Sequence, residues 1–357
     1  MSEFRVNSIT NQDGSAGPQI CGVSTFSGTS GVRIPSGPTE FRRQDGDGRG
    51  RGVVAGGYNP YTDTINKFEI ATTGNAVDFG NLNQVLRGPS NGVSSSTRGI
   101  FAGGLGPSGN TSLSVITYLT ISSDGAANDF GNLIRARFMI NGHSNNTRGI
   151  FTGGYSPSSP ADHTNNIEFV TIASTGDASD FGDIIPVSGK TWSTFGSGSS
   201  PTRGVFGGGY YGSPGTDVTD IQFITLATLG NSQTFGNLTA ARRDVGGLSS
   251  STRAIFAGGT NAPGDPNSTN IIDFVTIASL GNATDFGDMA EGGRNRPGCA
   301  SNSIRGCFAG GRISGSGVDS ISFLTIATTG NTTDFGDLTY SLYELGGFSD
   351  SHGGLAQ

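Results

Sequence analysis

The stretch Arg98-Gly-Ile-Phe-Ala-Gly-Gly104 decides the fold, because it returns along the chain at a near-constant period. With small changes inside the phrase it begins again at Arg51, Arg148, Arg203, Arg253 and Arg305, so that successive starts lie 47, 50, 55, 50 and 52 residues apart. Two further blocks keep the same phase. One is apolar, as in Ile167-Glu-Phe169-Val-Thr-Ile172-Ala; the other is the triplet Asp-Phe-Gly, at Asp78, Asp129, Asp180, Asp285 and Asp334, with Thr234-Phe-Gly as the sixth member. Six repeats of about 50 residues therefore span roughly residues 51 to 350.

Each block has strand chemistry. Arg-Gly-Ile-Phe-Ala is short, apolar and ended by a Gly pair, and Ile-x-Phe-x-Thr-Ile-Ala is β-branched and aromatic and stops at a turn. Asp-Phe-Gly marks a third strand, and the Gly- and Ser-rich segment before each Arg, such as Arg242 to Ser249, a fourth. Four short strands per repeat make one small antiparallel sheet, which is stable only when both its faces pack on neighbours. The predicted fold is all-β, a six-bladed β-propeller of four-stranded antiparallel blades. Tyr343 to Phe348 matches the strand that precedes Arg elsewhere, so the C-terminal strand is expected to complete blade one and remove an exposed edge. The tail Ser351 to Ala356 looks like a decayed Gly-Gly block, and a composite seventh blade is the alternative.

Composition acquires its meaning from this period. Of 357 residues 61 are Gly, 14% are charged and 33% are hydrophobic, figures that without periodicity would indicate disorder. Collagen is excluded by the lack of a Gly-X-Y register, and a helical bundle by the cost of Gly in helices. The Gly residues recur at strand ends, at the turn before Asn or Asp, and after Asp-Phe, where tight turns or close backbone approach need no side chain. A net charge of −7 leaves no overall basic field for nucleic acid. Of the 21 basic residues only Lys67 and Lys190 are Lys, which points to structural pairing by Arg. Three Cys are too few for a disulfide framework, no apolar run reaches 18 residues, and Met1 to Arg5 lacks a signal-peptide layout, so a soluble protein with no membrane insertion is expected.

Residues 1–50 stand outside the repeat as a Gly-rich arm and linker, and residues 51–357 form the propeller. The Gly-Gly strand end at this period resembles the kelch repeat, although the usual kelch Trp is missing and Trp192 is the only one in the chain. The run Phe4 to Pro18, then Phe26-Ser-Gly-Thr-Ser-Gly and Pro35-Ser-Gly-Pro-Thr, with the repeated Thr-Arg-Gly-Ile-Phe-Ala-Gly-Gly and Asp-Phe-Gly-Asn-Leu, is similar to structural proteins of marine cyanobacterial viruses. That resemblance implies a multicopy virion component, made in the host cytoplasm, whose residues 1–40 bind other virion proteins while the propeller projects.

Several motifs suggest chemistry and are outweighed by a structural role. The repeated Arg98, Arg148, Arg203, Arg253 and Arg305 are expected to pair with Asp78, Asp129, Asp180, Asp285 and Asp334 or with backbone carbonyls, blade after blade, rather than to bind an anion. Thr234 would leave Arg203 or Arg253 without its partner. Asp-Phe-Gly lacks the lysine strand and catalytic loop of a kinase, and Gly104-Leu-Gly106-Pro-Ser-Gly109 precedes a strand and not a helix. His143, His163 and His352 have no paired ligand spacing, and Asp45-Gly-Asp47 lacks the rest of a calcium loop, so neither a metal nor a cofactor is predicted. Cys299 and Cys307 are placed symmetrically about Ser303, opposite one another across a hairpin, with packing as the expected role of Cys307.

What varies between repeats is the loop after each Gly-Gly, and all six loops should leave one face of the disc. Tyr58, Tyr61, Tyr155, Tyr210 and Tyr211 gather there with Asp and Asn, a composition suited to a sugar ring or a protein contact. The expected function is a non-enzymatic virion protein whose propeller is a platform for protein or for a host-surface glycan. A lectin outside any virion and a propeller glycosidase or lyase are the alternatives, and the enzyme requires two carboxylates about 5–10 Å apart at the axis or on the loop face.

Overall fold

The computed structural model describes residues 50–107, 111–157, 162–185, 192–193, 196–211, 216–261 and 268–355. The arm at residues 1–49, including Asp45 and Asp47, lies outside them. The described residues form a six-bladed β-propeller. In blade one the strand order runs from the outer Val77–Leu86 through Thr62–Glu69 and Arg51–Ala55 to the inner Gly346–Ser349. The other inner strands are Val93–Ser94, Asn141–Ser144, Gly196–Ser199, Gly246–Ser249 and Gly298–Ser301, and the six stand side by side around the axis.

Gly and Ser dominate these inner strands because six of them must converge. A Cβ at Gly247 would strike the backbone of Ser197, and one at Gly347 the backbone of Cys299. At their lower ends the hydroxyls form a girdle: Ser94 Oγ donates to the Ser349 carbonyl at 2.6 Å, Ser301 to Ser249 and Ser249 to Ser199 at 2.8 Å, with Ser349 donating to Ser301.

Six apolar clusters fill the six inter-blade spaces. In one of them Phe79 of blade one packs with Leu119, Ile121 and Ala127 of blade two, so the Phe of Asp-Phe-Gly is an inter-blade residue. Its Gly forms a backbone clasp with the next blade. Phe79 O accepts from Gly125 N at 2.8 Å, and the pattern repeats from Phe130 to Gly176, Phe181 to Gly230, Phe235 to Gly281, Phe286 to Gly330 and Phe335 to Gly74. A Cβ at Gly131 would meet the Gly176 carbonyl well inside contact distance, and its φ of 149° is itself costly for a side chain. The outer strand carries a bulge at this point in every blade.

Closure takes place at the chain's two ends. In blades two to six a hairpin turn joins the inner and second strands, and its first side chain accepts from the Arg amide, as Ser95 does from Arg98 N at 3.1 Å. Blade one has no covalent turn there. Instead Asp350 accepts from Arg51 N at 2.9 Å and Asp350 N bonds Arg51 O, which reproduces the turn across 299 residues. The tail is not a seventh blade. It forms a single short helical turn, Gly353–Leu355, packed on the inner strands of blades three and four. His352 Nε2 lies 3.2 Å from the Ser94 carbonyl and 3.1 Å from Ser144 Oγ, while Nδ1 accepts from Gly354 N at 3.1 Å, closing the lower end of the axis.

The face that carries this tail and the hairpin turns is the base; the face reached after each Gly-Gly is the crown. Gly50, where the described chain begins, lies on the base, since Arg51–Ala55 runs from Asp350 toward Gly56-Gly57.

Candidate functional site

On the base, the repeated Arg residues do not pair with Asp. They stand on the second strand and the Asp on the outer one, so the third strand intervenes and the separation is about two strand spacings, roughly 10 Å. Each guanidinium crosses to the next blade. Arg98 Nη1 donates to Ile172 O at 2.9 Å, Arg148 to Leu226 O at 2.8 Å, Arg203 to Ile277 O and Ala278 O at 3.0 Å, Arg253 to Ala327 O at 2.8 Å and Arg305 to Ala71 O at 2.8 Å. The same guanidiniums lie over Tyr118, Phe169, Phe223, Phe274 and Phe323 of their own blades, 4.5–4.7 Å from the ring centres. Thr234 therefore costs Arg203 and Arg253 nothing. Asp78, Asp129, Asp180, Asp285 and Asp334 are exposed on the rim, where a charge on the outermost strand protects an open edge.

Cys299 and Cys307 are also not opposite one another. Cys299 pairs with Phe308 and Cys307 with Ala300, so the one-residue offset sends the two thiols to opposite faces of blade six. Both are buried and free, and burial pushes the Cys299 thiol up to about 12.

The crown is where the repeat stops repeating. Past each Gly-Gly kink the hairpin continues as a narrow ribbon: Tyr58 bridges Tyr343, Leu105 bridges Arg87, Tyr155 bridges Phe138, Tyr210–Tyr211 pairs with Trp192–Ser193, and Thr260 bridges Arg243. Four of the five expected tyrosines join aromatic chains there. Tyr58 stands edge-on to Tyr61 and to Tyr343, at 5.0 and 5.3 Å, and Tyr155 and Tyr210 are linked through His163 at 4.7 and 5.8 Å. The fifth, Tyr211, lies next in the Tyr210 ribbon. Arg87 covers Tyr58 and Arg243 covers Tyr210, 4.1 and 4.3 Å from the ring centres.

Inside the ribbons lies a collar that the sequence gave no means of assembling. Gly88, Met139, Asp244, Arg296 and Glu344 occupy equivalent places before five inner strands, all with φ between 53° and 59°. Four of them are not glycine, in a backbone region that side chains avoid. Main-chain bonds link them around the axis: Arg296 N to Asp244 O, Glu344 N to Arg296 O, Gly88 N to Glu344 O and Met139 N to Gly88 O, at 3.1–3.2 Å. The backbone is constant and the side chains differ in every blade.

Those side chains form a charge-alternating arc on one half of the collar. Arg296 binds Asp244 at 3.0 Å and also Glu344, and Glu344 in turn binds Arg87 through both carboxylate oxygens. The carboxylates are nearly inaccessible, with side chains 3% and 1% exposed, whereas Arg296 and Arg87 remain 23% and 20% exposed. On the other half stand Gly88, Pro89, Met139 and Ile140, and between the halves is a depression of about 70 Å³. Beneath it the axis narrows to a cavity of about 50 Å³ walled by the inner strands and floored by His352. Two carboxylates thus share one guanidinium at the axis. Sequence reasoning missed the collar because its members sit in segments without period, and the only clue was the charged triplet Arg242-Arg-Asp244 with its counterparts Arg294-Asn-Arg296 and Tyr343-Glu344.

Among the described residues no group of three or more His, Cys, Asp or Glu is gathered as metal ligands. No protein-family model matches the chain, and no match to a curated protein was found.

Proposed function

We propose that this is a non-enzymatic component of a virus particle, held by residues 1–40 and presenting the crown of its kelch-like propeller as a binding platform. The observation that carries this is the collar: a backbone repeated around the axis with side chains repeated nowhere, at positions where glycine is the cheaper residue. Strain of about 1–3 kcal/mol per such site is retained where the side chain is needed. Every other repeated feature, from the Arg bridges to the Gly clasps, joins blade to blade and leaves nothing for a partner to read.

The geometry also supports a division of labour between faces. Gly50 and the C-terminal tail share the base, so an arm that anchors the protein from there leaves the crown free. Virion membership and multiple copies follow from the resemblance of the arm and repeat phrases to cyanobacterial virus proteins. Against a glycosidase stands the occupancy of the paired carboxylates, since Asp244 and Glu344 both accept from Arg296 and their side chains are closed to solvent.

The test is deletion of residues 1–40. The shortened chain is expected to remain folded and to be missing from assembled particles; its incorporation at normal copy number would refute the anchoring role.

A further inference from the structure

We infer that the collar depression is a subsite for one neutral pyranose ring. The inference rests on the crown being the recognition face and names what it recognises. The depression has two unlike walls. One is the arc Arg87, Glu344, Arg296 and Asp244, two cations and two anions already bonded to one another, with the guanidinium edges reaching solvent. The other is Pro89, Met139 and Ile140, with Gly88 leaving a gap between.

A pyranose matches this division, having a face of C–H groups and an edge of hydroxyls. A hydroxyl both donates and accepts, so it bonds to an arc of alternating charge without displacing any ion pair. A carboxylate or sulfate on the ligand would have to compete with Glu344 and Asp244 for the same two guanidiniums, and an ammonium would have to enter beside Arg87 and Arg296. The arc sums to zero and therefore selects for an uncharged, hydroxyl-rich ligand. A pyranose in the depression also lies within the ring of crown tyrosines, so further sugar units of a chain would pass over Tyr58 and Tyr61.

Saturation-transfer NMR on the full chain tests this, using methyl α-glucoside, α-galactoside and α-mannoside as neutral probes and glucuronate as the charged one. At least one neutral pyranoside is expected to receive saturation and glucuronate none. Arg296→Gln and Asp244→Asn are expected to weaken the neutral probe by about tenfold. Asn tolerates the left-handed backbone at position 244, so that variant keeps the fold, checked by an unchanged melting temperature. Absence of transfer to all three neutral probes, preference for glucuronate, or unchanged binding in both variants would overturn the inference. Adhesion of the same variants to host cells separates this from the platform itself: loss of adhesion without pyranoside binding overturns the sugar and retains the crown as the recognition face.

Discussion

A single methyl group tests how tightly the blades are joined. Gly131→Ala would place a Cβ against the carbonyl of Gly176 at a φ of 149°, so both the clasp and the local backbone must give way. The expected loss is about 2–4 kcal/mol of stability, measured by denaturant unfolding, because the facing atom is backbone of another blade and cannot rotate aside. Arg253→Met keeps the stacking on Phe274 and removes the bonds to Ile326 O and Ala327 O, so a smaller loss of about 1.5–3 kcal/mol is expected. His143 adds a pH dependence. It is buried between Gly198 O and Thr152 Oγ1, and burial lowers its pKa from 6.5 to about 4. The folded state then binds fewer protons than the unfolded chain between those values. Its contribution is complete above pH 6.5 and is lost as the pH falls toward 4, by up to about 3 kcal/mol. His143→Gln should flatten that part of the stability profile; an unchanged slope would show that the ring is already charged when folded.

Strand identity was legible because each strand has its own chemistry: Gly and Ser on the inner, Arg-Gly-Ile-Phe on the second, β-branched residues on the third, Asp-Phe-Gly on the outer. The partner of each Arg was not. Sequence order puts Asp-Phe-Gly in the same repeat as the Arg, but only the sheet order shows a strand between them and the next blade's carbonyls within reach. Closure by the C-terminal strand was legible from Gly346-Gly-Phe348, and it has a direct consequence. Removing Gly346–Gln357 should abolish cooperative unfolding, since Arg51–Ala55 loses its inner neighbour and the girdle loses Ser349. Asp350→Ala should cost more than Ser95→Ala, measured as the difference in unfolding free energy. Both side chains cap an Arg amide, but only Ser95 has a covalent turn to hold the strands in register when the cap is gone.

For the whole molecule, the repeat explains the disc and the departures from the repeat explain its two faces. The base is uniform, closed at the axis by His352 and joined to the arm at Gly50; the crown carries the collar, the ribbons and the tyrosines. The tyrosines were legible as an excess in the variable loops. The collar was not, because Asp244, Arg296 and Glu344 lie far apart in sequence and meet only when the ring closes. If the protein works as proposed, its orientation in a particle is fixed by this asymmetry. Electron microscopy of the intact particle tests that most directly. The account predicts density for a six-bladed disc with its base toward the particle and its crown facing outward; a disc seated crown-down on another component, or a particle without it, would contradict the account.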